Sequence, residues 1–589
     1  MRTRLNKQEK VTLPKRFTLF LFLFILSISN LQNAFAQVQL LKELQITNKA
    51  LYFDGVKDQS STNKSTDTPY DYAYGRTINP HGDCIKTYKH YVFMTWYRGG
   101  KEDRHVMLTR YNTQTGAMKT IEFPHQHTGL TGKWWIGETH NTIAIGICPR
   151  NGTIHLAYDM HAYRNVGNFT NDYFRYSYSQ SNTVEVADSE FTLDKFVKDP
   201  IDGDYRHCTM NGVRDADNFS RMTYPEFFLN DDDELFLKMR QGSSYDGAMA
   251  YIKYDDSASK WGKFEKITAL GAQSKGETHN WSIYGNVKFA GGKMRLGFQR
   301  RLHDGTDKFQ YQNGVYYAYS DDPTGATQWK NHKGQAMTFP LVKASEVLVF
   351  EPGDWVETTQ KNMVHIVGGF DFEVTDRGDE HIVSQVKDKQ YNITKKLHTY
   401  RKAGDSDFTT VEYNAGSELY ASGDNIYVIG LNGGRVNIVK TEGGTSNFEQ
   451  VYQHTSGPTF DKGIVHINDG KLYYYLKTTG NSGDECTTYL QVFDLGITPS
   501  DVTSTEEIIK GSEELLIYPN PATKSFRIDM NGKSAKDVSI YTLNGTLIYQ
   551  KNDVVDQSEI NIDGQSAGLY VLKVTLDNGQ KYSQKLMIE

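Results

Sequence analysis

The sequence predicts an all-β protein: a seven-bladed β-propeller followed by a small C-terminal β-sandwich. Three observations carry this. Aromatic residues make up 13% of the chain, 38 of them Tyr, against 14 Pro, a composition that suits half-buried sheet surfaces. From residue 85 to 495 one pattern recurs, an apolar-aromatic strand, a turn, a Tyr-rich second strand and a polar loop. No helical periodicity of comparable length competes, and 589 residues exceed what one ordinary core holds.

The first 36 residues read as a signal peptide. Arg2, Arg4, Lys7, Lys10, Lys15 and Arg16 form a positive n-region, Phe17 to Ile28 an apolar run, and Ala34-Phe35-Ala36 a small-residue cleavage site before Gln37. That run is short for a span, and no other stretch approaches the roughly 20 apolar residues a bilayer needs, so no membrane span is expected in the mature form. Export to the outside of the cell follows. A net charge of -6 argues against nucleic-acid and membrane-surface partners; a polyanionic ligand would need a local basic patch. Cys84, Cys148, Cys208 and Cys486 would permit two disulfides in an oxidising compartment. No CxxC spacing offers a zinc motif, and Cys148, closing the run Ile143–Ile147, reads as a small buried thiol.

Residues 37–497 carry the propeller. Its strands include Tyr91–Trp96, Ile154–Tyr158, Leu235–Met239, Met294–Phe298, Met363–Val367, Ile426–Ile429 and Leu472–Leu476, with Tyr173–Tyr178 and Val315–Tyr319 following at hairpin distance. Seven such units, roughly 45 to 80 residues apart, are what a propeller with long loops needs. A pair of β-sandwiches is the weaker alternative. The pentapeptide Gly137-Glu138-Thr139-His140-Asn141 recurs at Gly276-Glu277-Thr278-His279-Asn280. Ser320 to Trp329 resembles a loosened Asp-box, the structural hairpin of sialidase-like propellers.

Residues 498–514, rich in Ser, Thr and Glu, read as a linker. In 515–589, apolar-polar alternation across Val538–Tyr541, Gly568–Val574 and Lys585–Ile588 predicts a compact sandwich. The opening Tyr518-Pro519-Asn520-Pro521, the strand Gly568-Leu569-Tyr570-Val571 and the Lys585-led end resemble the C-terminal sorting domain of type IX secretion. The resemblance implies the type IX machinery as a partner and a released or surface-held protein.

Four side chains could perform chemistry together: His140, His161, Tyr224 and Arg240, each near the end of a strand-like segment. In a propeller such ends converge on one face, and Pro225 is expected to hold Tyr224 extended. Cleaving a uronic-acid chain by β-elimination needs a base for the C5 proton, an acid for the C4 leaving oxygen and a cation for the carboxylate. A neutral imidazole at His140 suits the base role. Tyr224 can donate a proton, or act as base if a cation lowers its pKa. Arg240 offers a two-pronged carboxylate clamp, with Asn141 as helper; His161 orients substrate or shares the proton work. Arg164 and Arg300 are candidate contacts for substrate anions, as are Arg98, Arg221 and Arg301, though ordinary surface charge accounts for most of them.

The segments Gly137–Asn141, Tyr158-Asp159-Met160-His161, Thr223–Phe227 and Met239-Arg240-Gln241-Gly242 are similar to those of the BNR-repeat polysaccharide lyases that degrade ulvan (families 24 and 25), the sulfated algal polymer of rhamnose and uronic acids. The resemblance implies His140 and Tyr224 as the acid/base pair, Arg240 as neutraliser, His161 in support and Tyr284 as a further substrate contact. It implies an acidic sulfated polysaccharide as partner and unsaturated uronic ends as product, with no cofactor required for the chemistry. Some members bind a structural ion; His207, Cys208, His279 and His303 for zinc, or Asp231–Asp233 for calcium, are the candidates, and the metal stays unassigned. A sialidase-like hydrolase and a non-catalytic glycan-binding propeller are the competing readings.

Overall fold

The computed structural model describes residues 38–164, 173–302, 313–365, 370–496, 515–530, 532–542, 547–577 and 581–588. The expected signal peptide (1–36) and linker (498–514), and His303, lie outside the described residues. The chain divides into two compact units near residue 504.

The first unit is a seven-bladed propeller. Its innermost strands are Ile85–Tyr88, Ile143–Cys148, Met222–Leu229, Trp281–Ala290, Asp371–Val374, Tyr420–Ser422 and Phe460–Asn468, and each touches the next around a closed ring, the last meeting the first. Behind each lies an antiparallel second strand: Tyr91–Tyr97, Thr153–Tyr158, Leu235–Gly242, Lys293–Leu302, Glu380–Asp388, Asn425–Asn432 and Lys471–Thr478. The ring is closed by Gln39–Leu51, which pairs antiparallel with Glu485–Asp494 in the last blade, Leu44 opposite Leu490 and Leu51 opposite Glu485. This closure ties the two ends of the domain into one sheet, with Gln39–Leu51 as its outermost strand.

The apolar-aromatic runs visible in the sequence are mostly these second strands, which are sandwiched between neighbouring blades. Every residue of Leu235–Gly242 is buried, and the core builds up blade against blade, as where Tyr158, Ile145 and Phe93 share one cluster. The innermost strands face an axial channel and carry Lys86, Glu226, Lys288, Asp371 and His466, so their apolar pattern is broken. The fifth blade departs from the expected register. Of Met363–Val367 only Val364–His365 forms a described strand, and it pairs beside Glu380–Asp388, the true second strand.

Ser320–Trp329 makes an Asp-box-like turn. Asp322 accepts hydrogen bonds from the backbone and hydroxyl groups of Thr324 and Thr327, and Trp329 Nε1 donates to the Gly325 carbonyl at 2.7 Å. The two disulfides permitted by composition are not formed: all four cysteines are buried free thiols. They sit in separate places in the fold, and burial pushes the Cys84 and Cys486 thiols up to about 12. Among the described residues no helix is long and apolar enough to cross a membrane.

The second unit is a two-sheet sandwich. Leu516–Tyr518, Ser525–Asp529 and Glu559–Asn561 form one sheet; Leu547–Val554, Ala535–Thr542, Gly568–Leu576 and Lys581–Ile588 form the other. Phe526, Ile528, Val538, Ile540, Leu572 and Leu586 fill the space between them.

Candidate active site

The start of an innermost strand and the end of its second strand lie at the same end of a blade, because the two are antiparallel. His140 precedes the strand Ile143–Cys148, His161 follows Thr153–Tyr158, Tyr224 sits near the start of Met222–Leu229, and Arg240 near the end of Leu235–Gly242. Tyr284 opens the next blade within Trp281–Ala290. Three adjacent blades therefore deliver these five side chains to one end of the propeller.

A buried carboxylate organises the histidines. Glu138 is 0% exposed; its Oε1 lies 2.7 Å from His140 Nδ1 and its Oε2 3.0 Å from His161 Nδ1. The two rings stack with centroids 4.2 Å apart. A carboxylate only accepts, so both Nδ1 atoms carry the hydrogen, and in a neutral ring the lone pair is on Nε2. Burial alone would raise the Glu138 pKa, but the hydrogen bonds from His140 and His161 outweigh it and hold the carboxyl down at about 2. The loop is fixed from behind: His127 Nε2 donates to the Glu138 carbonyl at 3.0 Å.

Tyr224 occupies a β-bulge. Lys238 pairs with Glu226 and Arg240 with Thr223, so Tyr224 and Pro225 together oppose Met239. Tyr224 is not extended as expected; its φ is 60°. Pro225 has no N–H for the ladder and bars Tyr224 from the right-handed helical region, and the extra residue is taken up in the left-handed one. Such a conformation costs about 1–3 kcal/mol for a bulky residue. It turns the ring, 40% exposed, towards His140, whose centroid is 5.7 Å away. His161 is tied to the same bulge by a bridge to Thr223. Burial raises the Tyr224 pKa and the Arg240 guanidinium opposes it, with burial prevailing.

Arg240 is 5% exposed, and its Nε and Nη1 have no hydrogen-bond partner among the described residues. Its guanidinium carbon lies 4.9 Å from the Tyr224 ring centre and 5.0 Å from that of Tyr284. Buried donors left unpaired are costly unless a ligand meets them. A cavity of about 330 Å³ opens beside Arg240, Tyr224, Tyr284 and Gln299. A second of about 610 Å³ runs past His140, Tyr224, His81 and Lys288 into the axial channel.

Asn141, Arg300 and Arg98 are engaged elsewhere. Asn141 is fully buried, its amide donating to the Gly129 carbonyl and to Tyr163; it braces the loop instead of facing the cleft. Arg300 follows Gln299, whose cross-strand partner is Tyr284, so it projects from the opposite face of that sheet, over Tyr316. Arg164 is exposed, and Arg98 is held by Asp103 and Glu122. Glu226 is engaged with Lys238 at 2.7 Å, which takes it away from a sialidase-type partnership with Tyr224. Glu138 and Tyr74 were missed by sequence reasoning. Glu138 lay inside the quoted pentapeptide, and its second copy marks the contrast: Glu277 is not fully buried. Tyr74 stands edge-on to His140 at 4.5 Å.

Of the residues weighed for zinc, His207 Nε2 donates to the Val197 carbonyl at 2.9 Å and Cys208 Sγ accepts from Arg214 at 3.1 Å. Asp231–Asp233 lie in the turn that Asn230 closes. Among the described residues, Glu138, His140 and His161 are the group whose potential ligand atoms converge, all within 4.8 Å.

Comparison with known proteins adds the family. Residues 91–415 match the BNR repeat-containing family, and residues 516–589 the secretion system C-terminal sorting domain, so the protein is one sorted for secretion. The chain is 49% identical over 478 residues to the long isoform of an ulvan lyase from Alteromonas sp., covering 78% of this chain and 48% of that one. It is 46% identical to the short isoform of an ulvan lyase from Alteromonas sp. (strain LOR), covering 80% and 92%. The chain thus spans about half the length of the long-isoform relatives it matches and nearly all of the short one. The crystal structure of polysaccharide lyase Uly1 superposes with a TM-score of 0.76 at 52% identity, covering 78% of this chain and 100% of that one. With a family match over more than half its length and a nearly full-length relative of this likeness, the chain belongs to the BNR-repeat family of the ulvan lyases.

Proposed function

We propose that this protein is a secreted ulvan lyase, exported through the type IX machinery, which cleaves the bond between sulfated rhamnose and a uronic acid by β-elimination. The observation that carries this is the buried, unpartnered guanidinium of Arg240 beside Tyr224 and a histidine pair held by one carboxylate.

Arg240 pairs with the uronate carboxylate and stabilises the negative charge that develops there as C5 loses its proton. His140 Nε2 takes that proton; its Nδ1–H stays on Glu138, whose charge stabilises the imidazolium formed. The electron pair of the C5–H bond becomes the C4–C5 double bond as the C4–O bond breaks. Tyr224 gives its phenolic proton to the departing oxygen, a role favoured by burial holding it protonated. His161 shares the Glu138 carboxylate and supports His140. Every step is assigned to a side chain.

Incubation with ulvan tests the proposal. Ultraviolet absorbance from the new double bond is expected without added cofactor, and loss of that signal in His140→Ala and Tyr224→Phe. Reducing ends appearing without unsaturation would indicate a sialidase-like hydrolase. Retained polymer binding with neither product would indicate a glycan-binding propeller.

A further inference from the structure

We infer that Tyr74 is a substrate-contacting residue: its ring forms the wall of a sugar subsite across the histidine pair from Arg240, taking the deoxyhexose next to the reacting uronate. The inference rests on the proposed function and extends it to a residue outside the blades.

Tyr74 belongs to the strap that runs from the closing strand Gln39–Leu51 to the first blade. This strap is locked to the histidine loop. The Ala73 N–H donates to the Gly137 carbonyl at 2.8 Å, the Gly137 N–H donates to the Asp71 carbonyl at 2.7 Å, and the Tyr70 hydroxyl donates to the Trp134 carbonyl. Gly137 permits the close approach, since a Cβ there would meet the Phe53 ring at 2.4 Å. The backbone leading into Tyr74 is therefore fixed relative to Glu138 and His140.

Held this firmly, the ring nonetheless remains 45% exposed. It stands edge-on to His140 at 4.5 Å and to His161 at 5.7 Å, and its hydroxyl has no hydrogen-bond partner among the described residues. An aromatic kept in place yet open to solvent beside the histidine pair is what sugar recognition uses: an apolar face for ring C–H groups at low entropic cost. The side chains run in order along the site, Tyr284 to Arg240, Arg240 to Tyr224, Tyr224 to His140 and His140 to Tyr74. With the carboxylate on Arg240 and C5 at His140, the polymer must continue past the histidines, where Tyr74 is the exposed aromatic. A 6-deoxyhexose, with a methyl group and an apolar face, matches that ring.

The test compares Tyr74→Ala, Tyr74→Leu and Tyr74→Phe in the full chain, by kinetics on ulvan and by retardation in ulvan-containing native gels. Stacking predicts that Tyr74→Phe keeps KM within about twofold, while Tyr74→Ala and Tyr74→Leu raise it about tenfold with kcat and the pH–rate midpoint nearly unchanged. Retardation in the gel should weaken in the same order. Should the alanine variant not fold, the leucine variant carries the comparison. An unchanged KM in Tyr74→Ala overturns the inference. So does a loss confined to kcat with a displaced pH profile, which would make Tyr74 a brace for the histidines, or a Tyr74→Phe variant as impaired as Tyr74→Ala. Wild-type protein that forms no unsaturated product refutes the lyase reading instead, and the gel then judges the subsite without turnover.

Discussion

The Glu138 carboxylate, wholly removed from solvent, lies 2.7 Å from Nδ1 of His140, whose ring lines the cleft. Glu138→Gln presents an amide N–H to one of the two imidazoles and removes the charge that stabilises imidazolium. We expect kcat to fall about 100-fold, with the acidic limb of the pH–rate profile moving to lower pH. A profile unchanged in shape would show that Glu138 only shapes the loop.

Arg240 has two buried donors waiting for a ligand. Arg240→Ala should lower kcat/KM about 10²–10³-fold. Arg240→Lys should recover part of that loss, since it restores charge without the planar fork. Comparison of a uronate polymer with its methyl-esterified form checks the assignment: esterification should cost the wild type far more than it costs Arg240→Ala.

Tyr224 is held protonated by burial against the pull of Arg240. Tyr224→Phe keeps the ring and removes the proton, so a fall in kcat of about 10²–10⁴-fold with little change in KM is expected. Fluorescence-detected binding of ulvan, unaltered in this variant, would separate loss of chemistry from loss of substrate.

Legibility in the sequence followed physical environment. Second strands such as Leu235–Gly242 are buried on both faces and announce themselves as apolar runs. Innermost strands such as Asp371–Val374 line a polar channel, which is why the fifth blade was misplaced by one strand. The histidines, Tyr224 and Arg240 stood out because elimination chemistry asks for those groups near strand ends. Glu138 was hidden because a carboxylate signals nothing until its burial and partners are known. Tyr74 was hidden by an irregular strap with no periodicity. Asn141 misled in the opposite way: adjacent to His140 in sequence, it points into the wall.

In the proposed mechanism Arg240 neutralises the carboxylate, so chelation should leave the chemistry intact. After dialysis against a chelator, kcat per folded molecule is expected to stay within about twofold of the untreated protein. A bound structural ion would be revealed as a fall in Tm alone. Loss of kcat restored by one divalent ion, with Tm unchanged, would move the neutralising role to a metal.

Buried histidines should make the propeller sensitive to mild acid. Burial pushes His155, His381 and His466 down to about 3 and His398, beside His381, to about 2. Their unfolded value is about 6.5. Between these limits the unfolded chain binds more protons than the folded one, so stability rises with pH. The contribution is fully present above the unfolded value and is lost as pH falls towards the folded one. Each group adds a slope of up to about 1.4 kcal/mol per pH unit. Glu138 acts in the same sense at lower pH, whereas the raised Asp83 opposes it between its own two values. Tm should therefore drop steeply from pH 6.5 to about pH 4. His155→Gln, which keeps a polar group near Tyr176 and Thr153 but cannot take up the proton, should flatten that slope by about one proton. A Tm that stays level across this interval, or an unaltered slope in His155→Gln, would mean that these imidazoles reach solvent and charge without unfolding.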